Sequence, residues 1–264
     1  MPRAKRRLGQ HFLTDPRLLA RIAEALAPTR DDTVLEVGPG PGGLTAALLE
    51  RAGRVVAIEK DRELVPGLRA RFPAGTIVEG DALEIDWWTL AGPRFLVAGN
   101  IPYNITSPLI DKALERPRPE RIVYLVQLEV AERVTASPGT AEYGALTVGV
   151  QAVARAERLF TVPAGAFHPR PKVDSAVLRL VPLAEPAIDD REVSAFRRLV
   201  VGLFGFRRKQ VVRGLRELTG WPVEEVQDVL LRSEIEKTLR PEALPPDRFV
   251  RLLRALVDGG WSAR

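Results

Sequence analysis

The middle of the chain alternates between short apolar runs and segments in which apolar residues recur at helical spacing. Five runs are typical of buried strands: TVLEVG, RVVAIEK, GTIVEGDA, FLVAGN and the start of RIVYLVQLEVAERV. Three segments between them have helical spacing: LTAALLERA, ELVPGLRARF and SPLIDKALER. This order predicts an α/β fold with a doubly wound, mostly parallel sheet, which binds ligands at the carboxyl ends of its strands.

The pattern changes in the second half of the chain. ERLFTVP and DSAVLRLVP predict two strands joined by a loop, which we expect to pair antiparallel at the sheet edge. Beyond the proline-containing segment VPLAEPAIDD the spacing is helical, and the last predicted helix starts with Asp247 as its N-cap. We therefore predict an α/β domain with a basic N-terminal arm over 1–185 and a small all-α domain over 186–264.

The composition of the chain excludes several kinds of protein and of site. The 264 residues are 45% hydrophobic and 28% charged, and no apolar run is long enough to span a bilayer, so we expect a cytoplasmic protein without a membrane partner. The chain has no cysteine, which excludes disulfides, thiolate metal sites and a cysteine nucleophile. Its two histidines, His11 and His168, are far apart in sequence, and we expect no metal site.

The charge of the chain indicates an anionic partner. The net charge is +5 and the pI is about 9.9, which favours nucleic acid over a membrane surface. Basic residues cluster in the opening PRAKRR and in GFRRKQVVRGLR, and each cluster is either a solvated segment or a contact for RNA phosphates. The candidate RNA-binding residues are Arg6, Arg7, Arg207, Arg208, Lys209 and Arg213.

A glycine-rich loop and two acids predict the cofactor. The segment EVGPGPGGLT has four glycines within six residues, and a tight turn alone would explain only one of them. Glu59 ends the second predicted strand, 21 residues after Gly38, where a carboxylate accepts ribose hydroxyls, and Asp81 ends the third. Pro39 and Pro41 remove N–H donors that a pyrophosphate would need. S-adenosyl-L-methionine is therefore favoured over NAD.

The stretch GNIPYNIT (99–106) has the residues of a reaction centre for an exocyclic amine. Such an amine attacks carbon poorly because its lone pair is delocalised into the base. Asn100 Oδ1 and the carbonyl of Ile101, which Pro102 keeps extended, can accept both of its N–H bonds. Tyr103 offers a ring face for stacking of the base. The alternative is a proline turn with an incidental aromatic residue.

Six motifs together resemble the KsgA/RsmA family of adenine dimethyltransferases: QHFL, EVGPGPGGLT, IEKD, EGDAL, GNIPYNI and FHPRPKVDSAV. The resemblance implies a class I, Rossmann-like methyltransferase domain with an RNA-contacting helical domain. It also implies N6,N6-dimethylation of two adjacent adenosines in the 3′-terminal hairpin loop of 16S rRNA, during biogenesis of the small (30S) ribosomal subunit. The partner is then 16S rRNA in that subunit or its precursor, and the expected state is a monomer.

The resemblance also implies roles for individual residues. The implied cofactor-binding residues are His11, Leu13, Gly38, Gly40, Glu59, Asp81, Ala82 and Asn100. The implied catalytic residues are Asn100, Ile101, Pro102, Tyr103 and Phe167. The family more often has Asn where this chain has His11. Phe167, in the loop FHPRP, either holds the target base or is a hydrophobic plug under that loop.

Three other functions are compatible with parts of this pattern. A methyltransferase of the macrolide-resistance type would use the same motifs on 23S rRNA, although FHPRPKVDSAV and the long helical tail argue against it. A DNA adenine methyltransferase would share Asn-x-Pro-Tyr, but little chain remains for a base-reading domain. A non-catalytic RNA-binding assembly or transcription factor on the same fold would not need intact catalytic motifs.

Overall fold

The computed structural model describes residues 4–5 and 8–262, so Arg6 and Arg7 of the predicted RNA-binding set lie outside the described residues. The chain forms two compact units. Unit 1 contains Met1–Ala131 and Ala156–Pro182, and unit 2 contains Glu132–Arg155 and Leu183–Arg264. Within the described residues, no helix combines the length and the apolar character that crossing a bilayer requires.

A seven-stranded sheet forms the centre of unit 1, with strand order β4-β3-β2-β5-β6-β9-β7. Its strands are β2 (Thr33–Val37), β3 (Arg54–Glu59), β4 (Thr76–Glu79), β5 (Leu96–Asn100), β6 (Arg121–Gln127), β7 (Ala154–Val162) and β9 (Ser175–Pro182). Neighbours from β4 to β6 pair parallel, and β9 pairs antiparallel with β6. The prediction of a mostly parallel α/β sheet is confirmed.

Helices cover this sheet because its central strands are apolar on both faces. The helices along this part of the chain are α1 (Pro16–Leu26), α2 (Gly43–Leu49), α3 (Val65–Arg71), α4 (Trp87–Ala91), α5 (Thr106–Ala113) and α6 (Leu128–Thr135). A core cluster joins Ile22 and Leu26 of α1 and Leu48 of α2 to Val34 and Val123 of the sheet. A small sheet pairs β1 (Phe12–Leu13) antiparallel with β8 (Phe167–His168), which brings the N-terminal segment to the loop after β7.

Unit 2 is helical. Its elements include α7 (Ala145–Gln151), α8 (Val193–Gly205), α9 (Val211–Thr219), α10 (Val223–Arg232) and α11 (Pro246–Asp258). Tyr143 is fully buried and its hydroxyl donates to the Leu244 carbonyl at 2.7 Å, which fixes the residues before α7 against those before α11. The N-cap of α11 is Pro245, so the predicted N-cap role of Asp247 is wrong. Asp247 lies in the first turn, where its charge still favours the helix dipole.

Candidate active site

One cavity lies at the carboxyl ends of β2, β3 and β5. All of the residues predicted to bind the cofactor line this cavity, and so do Ile101, Pro102 and Tyr103. Parallel strands end at the same edge of a sheet, which is why motifs far apart in sequence meet there. Phe167 does not line the cavity.

The glycine loop needs its glycines for both conformation and space. Gly38, Gly40 and Gly42 have φ angles of 70°, 55° and 84°, a region that other residues rarely adopt. A Cβ on Gly40 would lie 3.1 Å from the ring of Phe12, and one on Gly42 would lie 2.3 Å from the ring of Phe72. The loop therefore packs against Phe12 and Phe72 with no room for a side chain at Gly40 or Gly42.

Glu59 connects the end of β3 to the glycine loop. Its side chain is buried, and its two oxygens accept hydrogen bonds from the Gly40 amide at 3.0 Å and the Asp61 amide at 2.7 Å. Burial raises the pKa of the carboxyl, while the backbone donors oppose that shift. Because a carboxylate has about four acceptor positions, the backbone amides, including that of Lys60, leave acceptor capacity for the ribose.

Asp81 forms the adjacent part of the cavity. Its carboxylate pairs with Lys60 and accepts from the Leu83 amide at 3.0 Å. Burial disfavours the charge of Asp81, but the hydrogen bond from Lys60 holds its pKa below the ordinary value. The carbonyl of Ala82 accepts from the Trp87 indole at 2.8 Å, which fixes this turn in place. An anionic acceptor next to a fixed turn fits an adenine amino group.

Glu36 is a cavity residue that the sequence analysis missed. It is 1% exposed, and burial, reinforced by the nearby Glu59 carboxylate, raises its pKa to about 8. Its carboxyl is therefore mostly neutral at pH 7. Its Oε2 and the buried Thr45 hydroxyl both lack a hydrogen-bond partner in the described chain, and the Thr45 hydroxyl opposes the rise in the pKa of Glu36. The signal in the sequence was an acid inside the apolar strand TVLEVG.

Two hydrogen-bond acceptors at the end of β5 match the two N–H bonds of an exocyclic amine. Asn100 Nδ2 donates to the His11 carbonyl at 2.8 Å, which holds the amide and leaves Oδ1 as the acceptor. No hydrogen bond within the described residues uses Asn100 Oδ1 or the Ile101 carbonyl. The next two carbonyls, of Pro102 and Tyr103, face the Thr106 hydroxyl instead, each at 3.3 Å.

The ring of Tyr103 lies beside these acceptors. Its hydroxyl is 2.7 Å from Ser175 Oγ, and burial raises its pKa, so the phenol is neutral. The imidazole of His11 stacks on the ring, with centroids 5.4 Å apart and an interplanar angle of 22°. His11 Nδ1 is 2.8 Å from the carbonyl of Pro169. The His11 ring thus stacks on one face of Tyr103, in the same kind of contact that a base would make.

Phe167 is placed differently from the other predicted catalytic residues. It is 4% exposed and belongs to the hydrophobic core cluster that also contains Leu13, Val162 and Val177. Its backbone pairs with Leu13 in the β1–β8 ribbon, which directs the ring into the core. Phe167 is thus packed in the core beneath the loop and does not line the cavity, and its predicted contact with the target base stays a prediction.

The N-terminal segment 8–13 crosses the cavity as a strap. On one side Asp61, which is 3% exposed, accepts from Lys5 Nζ at 2.6 Å and from Gln10 Nε2 at 3.2 Å. Burial disfavours its charge, but these hydrogen bonds hold the pKa of Asp61 below its ordinary value. On the other side Gly9 packs so closely on Asn104 that a Cβ would lie 2.8 Å from its Oδ1. The strap is anchored on both sides of the cavity.

We expect the Asp61→Asn variant to release the cofactor faster than the wild type does, although Asp61 does not line the cavity. Hydrogen bonds to charged groups contribute about 1.5–3 kcal/mol, and the neutral amide loses the charge that holds Lys5. Cofactor dissociation should accelerate about tenfold in stopped-flow measurements, and the strap should become more sensitive to protease.

The matched control is Glu63→Gln, because Glu63 also pairs with Lys5, at 2.9 Å, but is 78% exposed. Exposed pairs contribute little, so this variant should behave as the wild type does. Equal dissociation rates for Asp61→Asn and the wild type would show that Asp61 does not hold the strap.

The predicted RNA-binding residues of unit 2 are not equivalent. Arg208, Lys209 and Arg213 are exposed and form no ion pair within the described part of the chain. Arg207 instead donates to Glu242 at 2.7 Å and to the carbonyls of Thr140 and Ala141. The guanidinium of Arg207 is therefore used in internal contacts. Arg208, Lys209 and Arg213 remain candidates for binding RNA phosphates.

The fold and the cavity together define a class I S-adenosylmethionine-dependent methyltransferase. The glycine loop and the strand-end acids, which line the cavity together with the unpartnered Glu36 oxygen, fit the cofactor. The chain belongs to the ribosomal RNA adenine dimethylase family, whose model matches residues 1–256. It is accordingly an rRNA adenine dimethyltransferase, which confirms the predicted family, activity and cofactor.

Relatives and solved structures agree with this assignment. Proteins named ribosomal RNA small subunit methyltransferase A are similar over nearly their whole length. That of Geobacter sulfurreducens is 42% identical (98% of each chain), and that of Pseudomonas aeruginosa is 41% identical (97% of this chain and 96% of the relative). A dimethyladenosine transferase from Plasmodium falciparum has a TM-score of 0.84 at 27% identity, covering 95% of this chain and 98% of its own. The 23S rRNA methyltransferase ErmE has a TM-score of 0.72 at 32% identity, covering 93% and 99%.

Proposed function

We propose that this enzyme transfers methyl groups to N6 of two adjacent adenosines in the 3′-terminal hairpin loop of 16S rRNA, dimethylating each. It acts as a cytoplasmic monomer on the small (30S) ribosomal subunit or its precursor. The observation that carries the proposal is the pair of unused acceptors, Asn100 Oδ1 and the Ile101 carbonyl, beside the ring of Tyr103. The small-subunit relatives, similar over nearly the full chain, support the choice of RNA.

The two acceptors explain how a weak nucleophile is activated. S-adenosylmethionine supplies a methyl group bonded to a positively charged sulfur. The amine N–H bonds point to Asn100 Oδ1 and the Ile101 carbonyl, which favours a pyramidal nitrogen with its lone pair free of the ring. The bound cofactor would provide the methyl carbon and leave as a neutral thioether, and the extra proton of the nitrogen would pass to solvent. Catalysis is thus mainly positioning and electrostatics, and no strong base is required.

The same acceptors allow a second transfer to the same nitrogen. The monomethylated amine has one N–H, so one acceptor loses its partner. A neutral amide or carbonyl tolerates that loss better than a buried carboxylate, which would remain charged and unpaired. Stacking on Tyr103 depends little on the number of methyl groups. The site is therefore compatible with dimethylation.

Transfer of tritiated methyl groups tests the choice of substrate. We expect incorporation into 30S subunits that lack these methyl groups, and not into 50S subunits or DNA. The 50S arm tests the macrolide-resistance type of activity, and the DNA arm tests an adenine methyltransferase of DNA. Preferential labelling of 50S subunits would overturn the proposal.

We expect the exposed cluster of unit 2 to supply RNA affinity that does not depend on sequence. Reversing Arg208, Lys209 and Arg213 to Glu should weaken RNA binding and reduce the slope of log K against log[salt] by about 0.7–0.9 per lost phosphate contact. Cofactor affinity should not change. The measurement is a salt titration of RNA binding, with calorimetry for the cofactor.

A charge-matched control reverses three other exposed arginines of unit 2, Arg191, Arg198 and Arg232, of which only Arg232 forms an ion pair within the described residues, the exposed one with Asp228. Arg207 stays intact in both variants because its bond to Glu242 stabilises the fold. If the control and the cluster variant lose RNA affinity equally, the cluster is only a solvated surface.

A further inference from the structure

Residues 168–174, which are the last residue of β8 and the loop from β8 to β9, are tied at both ends to the stacked rings of Tyr103 and His11. At its start the Pro169 carbonyl lies 2.8 Å from His11 Nδ1. Immediately after it Ser175 Oγ lies 2.7 Å from the Tyr103 hydroxyl. The loop therefore passes beside the ring on which the target base would stack.

The backbone of this loop is held in place. The Asp174 carbonyl accepts from the Leu128 amide at 3.0 Å, and its side chain accepts from the Ala164 amide at 2.8 Å. Pro169 and Pro171 each fix one φ angle, which lowers the entropy lost when the loop binds a ligand. Groups that the loop presents are therefore preorganised.

The loop presents two positive charges to solvent. Arg170 and Lys172 are exposed on either side of Pro171, which is buried. Neither forms an ion pair or a hydrogen bond with any described residue. The nearest acid in sequence, Asp174, is already bonded to the Ala164 amide. Cα atoms two residues apart are at most about 7 Å apart, so the two long side chains can each reach a different phosphate of one RNA strand.

A base that reaches Asn100 must leave its stack, and it brings the phosphates on either side of its ribose with it. Those phosphates need cations close to the base and outside the cavity. Within the described residues, the loop places Arg170 next to Pro169, whose carbonyl touches the ring stacked on Tyr103.

We propose that residues 168–174 form a phosphate clamp, in which Arg170 and Lys172 bind the RNA phosphates that flank the target adenosine. This proposal rests on the proposed function and adds a second RNA contact, distinct from the cluster of unit 2. The clamp holds the extruded nucleotide so that its amine meets the two acceptors. It therefore acts on the rate of methyl transfer as well as on affinity.

The test compares the double variant Arg170→Ala and Lys172→Ala with Arg54→Ala and Arg94→Ala. Both control side chains are exposed and lie at the amino ends of strands, away from the cavity. Arg54 begins β3 and donates to the Leu90 carbonyl at 3.0 Å, and Arg94 precedes β5 and pairs with Glu120 at 2.6 Å. Single-turnover methyl transfer to the RNA substrate, the salt dependence of RNA binding and cofactor affinity are measured for both. A third variant, Arg170→Lys with Lys172→Arg, keeps the charges.

In the clamp variant we expect single-turnover transfer at saturating enzyme to fall about tenfold or more, because the base is no longer positioned. The salt slope should decrease by about 1.4 for two single-strand contacts. Cofactor affinity and the melting temperature should equal those of the wild type, and the exchanged variant should recover most of the rate. The transfer rate of the control variant, Arg54→Ala with Arg94→Ala, should stay within about twofold of the wild-type rate.

An unchanged transfer rate and salt slope in the clamp variant, with an active wild type, would overturn the clamp. Equal losses in the clamp and control variants would also overturn it, because total charge would then explain the effect. A wild type that methylates only 50S subunits would refute the proposed 16S rRNA substrate, and the clamp would then be tested on 50S subunits with the same variants.

Discussion

Replacing Asn100 by alanine should lower the rate of both methyl transfers about 100-fold or more. Removing one preorganised polar group from a reaction centre typically costs 10²–10³ in kcat. The variant loses Oδ1, one of the two acceptors for the target amine, and it also loses the bond of 2.8 Å from Nδ2 to the His11 carbonyl. Single-turnover methyl transfer to 30S subunits measures the effect.

Two comparisons separate loss of chemistry from loss of binding. Calorimetry of the Asn100→Ala variant reports whether the cofactor still binds. Tyr103→Ala provides the second comparison, since it keeps both acceptors and removes the stacking surface, and it should mainly impair use of the base. If Asn100→Ala were fully active, GNIPYNIT would be an ordinary loop.

The Glu59→Ala variant should bind S-adenosylmethionine more weakly by about 1–3 kcal/mol, or about 5- to 150-fold. The carboxylate is 4% exposed and lines the cavity, where it is placed to accept from the ribose. The substitution also leaves the amides of Gly40 and Asp61 without their partner, which loosens the glycine loop. Calorimetry gives the affinity, and thermal unfolding of the cofactor-free protein shows the cost to the fold.

Glu79 provides a matched control for this prediction. It lies beside Glu59 in the parallel β3–β4 pair, but it is 46% exposed and does not line the cavity. Glu79→Ala should leave cofactor affinity unchanged. Equal affinities for the Glu59 and Glu79 variants would remove Glu59 from the binding site.

The sequence was sufficient to predict the parallel sheet and the convergence of the motifs in one cavity. Short apolar runs separated by helical segments allow few other folds, and parallel strands necessarily end at one edge. The glycine loop, Glu59, Asp81 and Asn100 each follow directly from a strand end, so their common location is a consequence of topology.

Features that depend on long-range packing could not be predicted. The ring of Phe167 turns into the core because its strand pairs with Leu13, more than 150 residues earlier, and Arg207 pairs with Glu242. The stacking of His11 on Tyr103 likewise joins distant segments. Local spacing contains no information about such partners, since the same motif is compatible with an exposed or a buried side chain.

Mass spectrometry of nucleosides from treated 16S rRNA tests the central claim most directly. The enzyme is incubated with S-adenosylmethionine and 30S subunits that lack methylation in the 3′-terminal hairpin, and the RNA is then digested and mapped. Both hydrogen-bond acceptors of the site are neutral and tolerate the loss of one N–H from the amine. We therefore expect N6,N6-dimethyladenosine at two adjacent positions of that hairpin. Only N6-monomethyladenosine, or no methylation of 16S rRNA, would contradict the account.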